Sequence, residues 1–282
     1  MKSFLKKSTV ATSTIISAVF TFVPEGMFEK WPANNQRILK CLGWFTGHTQ
    51  EASIIINRLI ALVIAFILSM IVIAICLLIK RKVTINGDNY IIEVKYGDIL
   101  KQKHCKKVIN FDECYTTAVG QAPGDIKATS ICGQFLSVHP GLDMASLIAN
   151  TGISPKQEGS CYNGKACYKP GTLIPYGDYL LMAFAKLEAD GRGRLSRDEY
   201  LSCLNMLWKE IDKYYGQEDV SIPILGAGIT RFESGSGASI PQQELLDLII
   251  GSYKLSSCKI KKPYKLRIIS KRVDGFSINR IS

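Results

Sequence analysis

A glycine-rich turn, Gly226-Ala227-Gly228, is the segment of this chain best suited to bind an anion. It follows an apolar run, Val220 to Leu225, that we predict to be a buried strand. Backbone amides that no side chain obstructs can bind a phosphate at the carboxyl end of such a strand. Ile229, Thr230 and Arg231 come next, and the hydroxyl and guanidinium can assist. A purely structural turn explains the same glycines, so both interpretations stay open.

Three carboxylates, Asp98, Asp112 and Glu113, are candidates to accept hydrogen bonds from a ligand. Asp98-Ile99 lies near the start of the same domain, where the Asp98 carboxylate could accept a hydrogen bond from a purine amino group. Asp112 and Glu113 follow a short predicted strand that contains Asn110. Adjacent residues of an extended segment point to opposite faces, so we expect one of the two carboxylates to face a ligand. For this pair, recognition of a ribose or an amino group and a structural role both remain open.

The remaining polar side chains do not assemble a catalytic site in the sequence. Gln134, within a helix predicted to begin near Ser130, is one further candidate ligand contact. The three histidines are scattered, and the nine cysteines include no Cys-x-x-Cys pair and no histidine at zinc-site spacing. We therefore predict no catalytic residue, no metal and no cofactor apart from the ligand itself.

These candidate residues need a domain of alternating strands and helices to bring them together. The Asn-Gly turn at residues 86–89 predicts a hairpin, and Ser196-x-x-Glu199 predicts a capping box for a helix over 197–215. Further strands are predicted at 107–110, 171–174, 220–225 and 265–271, and helices at 179–188 and from Pro241. This alternation late in the chain predicts an α/β sandwich with a mixed sheet.

The charge distribution argues against a nucleic-acid partner. The net charge is +11, but residues 1–82 carry +7 of it and residues 83–282 only +4. Most of the excess therefore flanks apolar segments, where it sets membrane orientation. The cysteines are scattered and their total, nine, is odd, which is typical of reduced thiols in a cytosolic domain.

A membrane anchor precedes that domain. Leu59 to Ile79 is an uncharged run of 21 residues, long enough as a helix to cross a bilayer, and Lys80-Arg81-Lys82 follows it. A weaker run at residues 8–23 follows three lysines and predicts a short first span, with a cleaved signal peptide as the alternative. Both basic clusters predict cytosolic ends and an external loop between the spans. We predict a membrane region at 1–82 and a cytosolic domain at 83–282, in a multi-pass protein of the inner (plasma) membrane.

In their order along the chain, the two ligand-binding segments resemble those of macro domains, which bind ADP-ribose in an α/β/α fold. The resemblance implies that Asp98 contacts adenine and that the loop from Pro223 to Ile229 holds the diphosphate. Macro domains usually carry Val-Asn-Ala-Ala-Asn between these segments. Here the stretch is Val108-Ile-Asn-Phe-Asp-Glu113, so Asn110 matches the first asparagine and Glu113 replaces the second, which departs from hydrolytic members.

The arrangement of membrane segments and macro domain is similar to the membrane-anchored effectors of type II Thoeris antiphage defence, over nearly the full chain. This resemblance implies a receptor. A TIR-domain partner makes an ADP-ribose-type messenger from NAD, such as histidine-ADP-ribose, and the macro domain binds it. The effector then assembles into an oligomer and disrupts the membrane, which kills the infected cell.

Two alternatives remain open. One is a membrane-tethered ADP-ribosyl hydrolase or ADP-ribose phosphatase, for which Asp112 and Glu113 would supply acid and base groups. The other is a membrane-anchored scaffold whose macro fold no longer binds a ligand.

Overall fold

The computed structural model describes residues 10, 13, 14, 17, 49–122, 124–156, 164–187, 193–228, 231–232 and 240–281. The chain divides into two compact units between Lys80 and Arg81. The boundary expected from the sequence falls two residues later, but Lys82 already belongs to the first strand of the second unit.

One long helix, α1, belongs to the first unit. It runs from Thr49 to Ile79 and contains the whole predicted span at 59–79. Its segment Arg58–Cys76 has a mean hydropathy of 3.3, and only 6% of this segment is buried. By length and composition, α1 is the one helix among the described residues that can cross a bilayer.

The other predicted membrane features fall mostly on residues outside that description. Of the first predicted span at 8–23, only Val10, Ser13, Thr14 and Ser17 are described, and these are helical and exposed. Residues 18–48, which include most of the predicted external loop, lie outside it. The prediction of two spans therefore stays a prediction.

The second unit alternates strands with helices. Its described strands are β1 (Lys82–Asn86), β2 (Ile91–Tyr96), β3 (Lys106–Asp112), β4 (Leu173–Tyr176), β5 (Tyr179–Leu187), β6 (Gly193–Leu195), β7 (Val220–Pro223), β8 (Arg231–Phe232) and β9 (Leu266–Ser270). Its described helices are α2 (Ile131–Val138), α3 (Met144–Thr151), α4 (Arg197–Tyr214) and α5 (Gln242–Leu255), and a 3-10 turn covers Ile278–Arg280.

The strands form one mixed sheet in the order β1-β2-β9-β7-β3-β5-β6-β8, and β4 also pairs with β5. Its centre is parallel, because β2, β9, β7, β3 and β5 are successive parallel neighbours. β1 pairs antiparallel with β2, and β4 and β6 each pair antiparallel with β5, whereas β8 is parallel to β6. The carboxyl ends of the five parallel strands therefore lie along one edge of the sheet.

Helices cover both faces of this sheet. On one face, α4 and α5 pack Trp208, Leu245 and Tyr253 against strand residues such as Val108 and Ile268. On the other face, α2 and α3 form a second cluster with β3, β4 and β5. The predicted α/β/α sandwich with a mixed sheet is confirmed.

Local sequence signals explain several element boundaries. The predicted hairpin forms around residues 86–91, and β1 pairs antiparallel with β2. The predicted capping box is present in α4, where Ser196 and Glu199 each bind the backbone amide of the other. Ser130 is the N-cap of α2, as expected from its position before the helix. Pro241 is the N-cap of α5 and makes no side-chain capping bond.

The helix predicted at 179–188 is wrong, because residues 179–187 form strand β5. The run Tyr-Leu-Leu-Met-Ala-Phe-Ala is almost fully buried, since β5 lies between β3 and β4 with a helix layer on each face. Such a strand has apolar side chains on both faces and loses the alternation that distinguishes it from a buried helix. The strand predicted to reach Leu225 also ends earlier, at Pro223, where a turn begins.

Candidate ligand-binding site

The carboxyl edge of the parallel strands holds a shallow cleft with a cavity volume of about 30 Å³, or about 310 Å³ if the open solvent at its mouth is included. Parallel α/β sheets usually bind ligands at this edge. The segment after β2, the start of α2, the end of β7 and the end of β9 all contribute to its walls. The lining residues are Gly97, Asp98, Ile99, Leu100, Ile131, Gln134, Pro223, Ile269 and Lys271.

Asp98 presents a fixed carboxylate to this cleft. One carboxylate oxygen accepts a hydrogen bond from the Leu100 amide at 3.0 Å, which orients the side chain. The other makes no hydrogen bond within the described part of the chain, so it is available as an acceptor. Gly97 before it donates its amide to the Ser270 carbonyl at 2.9 Å, which ties the segment to the end of β9. Ile99 is buried and anchors the same turn in the core.

In the glycine turn after β7, Gly226 is required by the backbone, whereas Gly228 is exposed. Gly226 has φ +81°, and a Cβ there would lie 2.9 Å from the Phe232 ring, so only glycine fits without strain. The Tyr200 hydroxyl donates to the neighbouring Leu225 carbonyl at 3.0 Å and fixes the turn from below. Ala227 and Gly228 are exposed but do not line the cleft, and a Cβ on Gly228 would meet no atom of the described residues within 4 Å. The Gly228 backbone is therefore open to a ligand.

The residues after this turn are only partly described. Ile229 and Thr230, both predicted to contact the ligand, lie outside the described residues. Arg231 opens β8, and its backbone pairs with Arg194 of β6. Their predicted contacts stay predictions.

Gln134 lies in the wall of the cleft, as its place in the first turn of α2 allows. Its side-chain amide nitrogen donates to the Thr129 carbonyl at 2.9 Å, which holds the side chain over the helix start. The side-chain oxygen of Gln134 can then accept a hydrogen bond from a ligand.

Three predicted contacts at the end of β3, namely Asn110, Asp112 and Glu113, do not line the cleft. Asn110 is half-buried within the strand, whereas both carboxylates are buried. The Glu113 side chain is fully buried, with Lys156 Nζ 2.5 Å from Oε2 and the Leu187 amide donating to Oε1. Both Glu113 oxygens therefore already have partners within the protein.

Asp112 is different, because one of its oxygens is left over. Oδ1 accepts from the amides of Cys114 at 2.8 Å and Thr116 at 3.3 Å. Oδ2 is buried and makes no hydrogen bond among the described residues. Burial raises the pKa of Asp112, and the hydrogen bonds from Cys114 and Thr116 oppose this only in part.

Replacing Asp112 by asparagine should change how stability depends on pH. A carboxyl whose pKa is raised by folding favours the folded state at low pH, and this contribution is lost as the pH rises through the folded-state pKa. The substituted amide would keep the Oδ1 acceptor and would not titrate. We expect the melting temperature of Asp112→Asn, relative to the natural chain, to increase between pH 4 and pH 8. A constant difference over that range would show that the buried carboxyl does not titrate abnormally.

Sequence reasoning missed part of the cleft wall. Lys271, Leu100, Ile131 and Ile269 line it, and the sequence alone did not mark them as contacts. The available signal was topological: Ile269 and Lys271 are at the end of the last predicted strand. If that strand is parallel to the one before Asp98, its end must reach the same edge.

One group of side chains has the spacing of metal ligands. Among the described residues, Glu113, Cys114 and Cys167 each offer one ligand atom, and these atoms lie within 4.8 Å of one another. The group is buried beside the end of β3 and does not line the cleft.

Comparison with known proteins identifies the family. The family described as "Thoeris protein ThsA, Macro domain" matches residues 92–271. The Thoeris protein ThsA of Bacillus amyloliquefaciens (strain Y2) is 30% identical over 234 residues, which cover 79% of this chain and 77% of that protein.

Solved structures of macrodomains are also similar. An Oceanobacillus iheyensis macrodomain mutant with ADPR has a TM-score of 0.42 and 11% identity, over 68% of this chain and 90% of that one. The macrodomain of Thermus aquaticus DarG has a TM-score of 0.36 and 14% identity, over 64% of this chain and 98% of that one. The family match and the ThsA relative are what decide the assignment. The chain therefore belongs to the family of the Thoeris protein ThsA, a component of antiviral defence, with its macro domain at residues 92–271.

Proposed function

We propose that this chain is a membrane-anchored receptor that binds an ADP-ribose-type messenger in the cleft at the carboxyl edge of its sheet. The observation that carries this proposal is the Asp98 carboxylate, which the Leu100 amide holds in the wall of the cleft, and the exposed Gly228 follows β7, which ends at the same edge. An adenine and a diphosphate need an acceptor and a set of free amides, respectively. The family membership supports the same ligand class, because its matched domain is a macro domain.

The cleft walls suit the parts of such a ligand. The free oxygen of Asp98 accepts from the adenine amino group, and the apolar side chains of Ile99, Ile131 and Ile269 pack against the ring. The exposed turn that follows Pro223 and β7 offers the Gly228 amide to the diphosphate, whereas the Ala227 amide already donates to the Ile224 carbonyl. Lys271 adds a positive charge to the same cleft, which favours an anionic ligand.

The proposed response to the messenger involves the membrane. A TIR-domain partner makes the messenger from NAD during infection, and histidine-ADP-ribose is the candidate that the family resemblance implies. Binding favours an assembled state by a few kcal/mol, as differential affinity for two states allows. The oligomer then disrupts the inner membrane through α1 and the first predicted span, with the macro domain in the cytoplasm.

A hydrolase or phosphatase is the second candidate, and Asp112 is the observation that favours it. A buried carboxyl whose pKa is raised and whose second oxygen is free is a candidate for proton transfer. Against it, Glu113, the other carboxyl at this position, is already bound by Lys156 and the Leu187 amide. A receptor needs only the cleft, whereas an enzyme also needs Asp112 to reach the ligand.

Calorimetry on the full chain in detergent tests the receptor. We expect ADP-ribose or one of its conjugates to bind without being consumed, as followed by chromatography of the nucleotide. Asp98→Ala removes a hydrogen bond to a charged acceptor worth about 1.5–3 kcal/mol, so Kd should rise by roughly 10- to 100-fold. Asp98→Asn keeps an acceptor oxygen and should lose less.

Three results would count against the receptor as proposed. Turnover of ADP-ribosylated protein or of ADP-ribose 1″-phosphate would favour the enzyme. A folded chain that binds no member of an ADP-ribose panel would leave only the scaffold. Equal affinity in the natural chain and Asp98→Ala would show that the adenine lies elsewhere.

A further inference from the structure

Two buried cysteines meet beside the end of β3. The sulfur atoms of Cys114 and Cys167 are 2.9 Å apart, although the residues are separated by 53 positions in the sequence. Cys114 is 9% exposed and Cys167 is 2% exposed. Both are free thiols. They are thus a pair enclosed by protein and already in contact.

Hydrogen bonds of the backbone hold both cysteines in place. The Cys114 amide donates to Asp112 Oδ1 at 2.8 Å, and the Cys167 carbonyl accepts from the Lys156 amide at 2.8 Å. The Tyr168 amide donates to the Glu113 carbonyl at 2.8 Å, which joins the two segments directly. The backbone at both cysteines is therefore fixed, which keeps the two side chains within reach of each other.

The contact fits a disulfide better than a metal site. Two thiolates bound to tetrahedral zinc at about 2.3 Å lie roughly 3.7 Å apart, well beyond the spacing seen here. The nearby Glu113 carboxylate is also occupied, because Lys156 places its ammonium group 2.5 Å from Oε2. A disulfide requires the sulfurs to approach by only about 0.9 Å, to a bond of about 2.05 Å.

We propose that Cys114 and Cys167 are a modification site, at which a hydroperoxide forms a reversible disulfide within the macro domain. Cys114 is the more exposed thiol and attacks the peroxide oxygen as its thiolate. The O–O bond of hydrogen peroxide breaks, giving a Cys114 sulfenic acid and a hydroxide, which takes up the proton that the Cys114 thiol released and becomes one molecule of water. The Cys167 sulfur then attacks the Cys114 sulfur and displaces the hydroxyl, which leaves as a second water. The two thiols lose two electrons and two protons in total, and hydrogen peroxide accepts them.

The surroundings set the rate of this reaction. Burial raises the pKa of the Cys114 thiol, and its contact with Cys167 raises the pKa further. The thiol stays protonated at neutral pH, so oxidation is slow there and accelerates as the pH rises. Slow oxidation is compatible with the free thiols of the structure and with the cytosolic placement proposed above, where stable disulfides are rare.

The disulfide would connect the end of β3 to the segment 164–168. It would close a long loop of chain, which restricts the unfolded state and raises the melting temperature. It would also fix the turn that holds Asp112, because Cys114 donates to that carboxylate. The proposal does not depend on the identity of the ligand.

Peptide mapping of the full chain in detergent tests the pair. The protein is treated with hydrogen peroxide at pH 7 and pH 9, its remaining thiols are alkylated, and it is digested without reductant. We expect one linked pair of peptides containing Cys114 and Cys167, formed faster at pH 9 and removed by dithiothreitol. The oxidised protein should melt at a temperature higher by about 5 °C.

A matched control uses another cysteine of the same unit. Cys258 is the one described cysteine after Lys80 that is half-exposed, so Cys258→Ser should leave both the link and the temperature shift unchanged. Cys167→Ser should remove both, while Cys114 is then trapped as a sulfenic acid.

Three outcomes would overturn the proposal. The first is a folded protein whose Cys114 and Cys167 remain alkylatable after prolonged peroxide treatment. The second is a link from Cys167 to Cys161 in place of Cys114. The third is stoichiometric zinc in the purified chain that protects both thiols, which would make Glu113, Cys114 and Cys167 a metal site instead.

Discussion

Replacing Gly228 by glutamate should weaken nucleotide binding by about 100-fold or more, with no loss of fold. A side chain at this position meets no neighbour among the described residues, because none of their atoms lies within 4 Å of its Cβ. In the proposed complex that space holds a diphosphate, so the carboxylate would place like charges in contact. Such a juxtaposition costs several kcal/mol, and about 2.7 kcal/mol already corresponds to roughly 100-fold. Calorimetry on the full chain in detergent measures the change.

Three control variants separate charge, bulk and backbone effects at this turn. Gly228→Gln has nearly the same volume without the charge and should lose much less affinity than Gly228→Glu. Gly228→Ala should bind and melt like the natural chain. Gly226→Ala should lower the melting temperature, because Gly226 has φ +81° and its Cβ would press on Phe232. Equal affinity of Gly228→Glu and Gly228→Gln would mean that no phosphate lies at Gly228.

Replacing Lys156 by methionine should destabilise the macro domain by about 3–5 kcal/mol. Glu113 is fully buried, and the Lys156 ammonium lies 2.5 Å from its Oε2. Removing the ammonium leaves a buried carboxylate with no cation beside it, which is far more costly than the loss of a surface ion pair. We expect the melting temperature of the full chain to fall by roughly 6–20 °C.

A double-mutant cycle tests the cause of that loss. Glu113→Gln removes the buried negative charge and keeps a side-chain oxygen that can accept the hydrogen bond from the Leu187 amide. The double variant Lys156→Met with Glu113→Gln should therefore be more stable than Lys156→Met alone. If the two losses simply add, the ion pair contributes nothing and Lys156 acts through packing.

Sequence patterns predicted those parts of the fold that depend on nearby residues. The hairpin around the Asn-Gly turn and the capping box at Ser196 each use residues within a few positions of one another. α3 could also have been found this way. Its N-cap Asp143 accepts from the Ser146 amide, and Gly152 ends the helix at φ +67°.

Features that depend on distant residues were harder to predict. β5 was mistaken for a helix because its burial on both faces comes from elements elsewhere in the chain. The partner of Glu113 is Lys156, 43 residues away, and no local pattern connects them. A buried carboxylate therefore looks the same in the sequence as one that faces a ligand.

The candidate site shows the same division. Asp98 lies in the cleft wall and the Gly226–Gly228 turn follows its strand, as predicted, because a carboxylate and a glycine turn after a strand are recognisable segments; that these residues bind a ligand stays a prediction. Lys271 could not be assigned to the cleft without the order of the strands. β9 is last in the sequence but lies between β2 and β7 in the sheet.

That position of β9 has a consequence for biosynthesis. β2 and β7 end at the segments that carry Asp98 and the glycine turn, and neither can take its place until β9 has entered between them. α1 leaves the ribosome long before β9 does. If the proposed site binds a nucleotide, a nascent chain whose α1 has already been made is still unable to bind it, and a chain truncated before Leu266 would not bind it at all. The proposed response thus becomes available only once β9 has been synthesised.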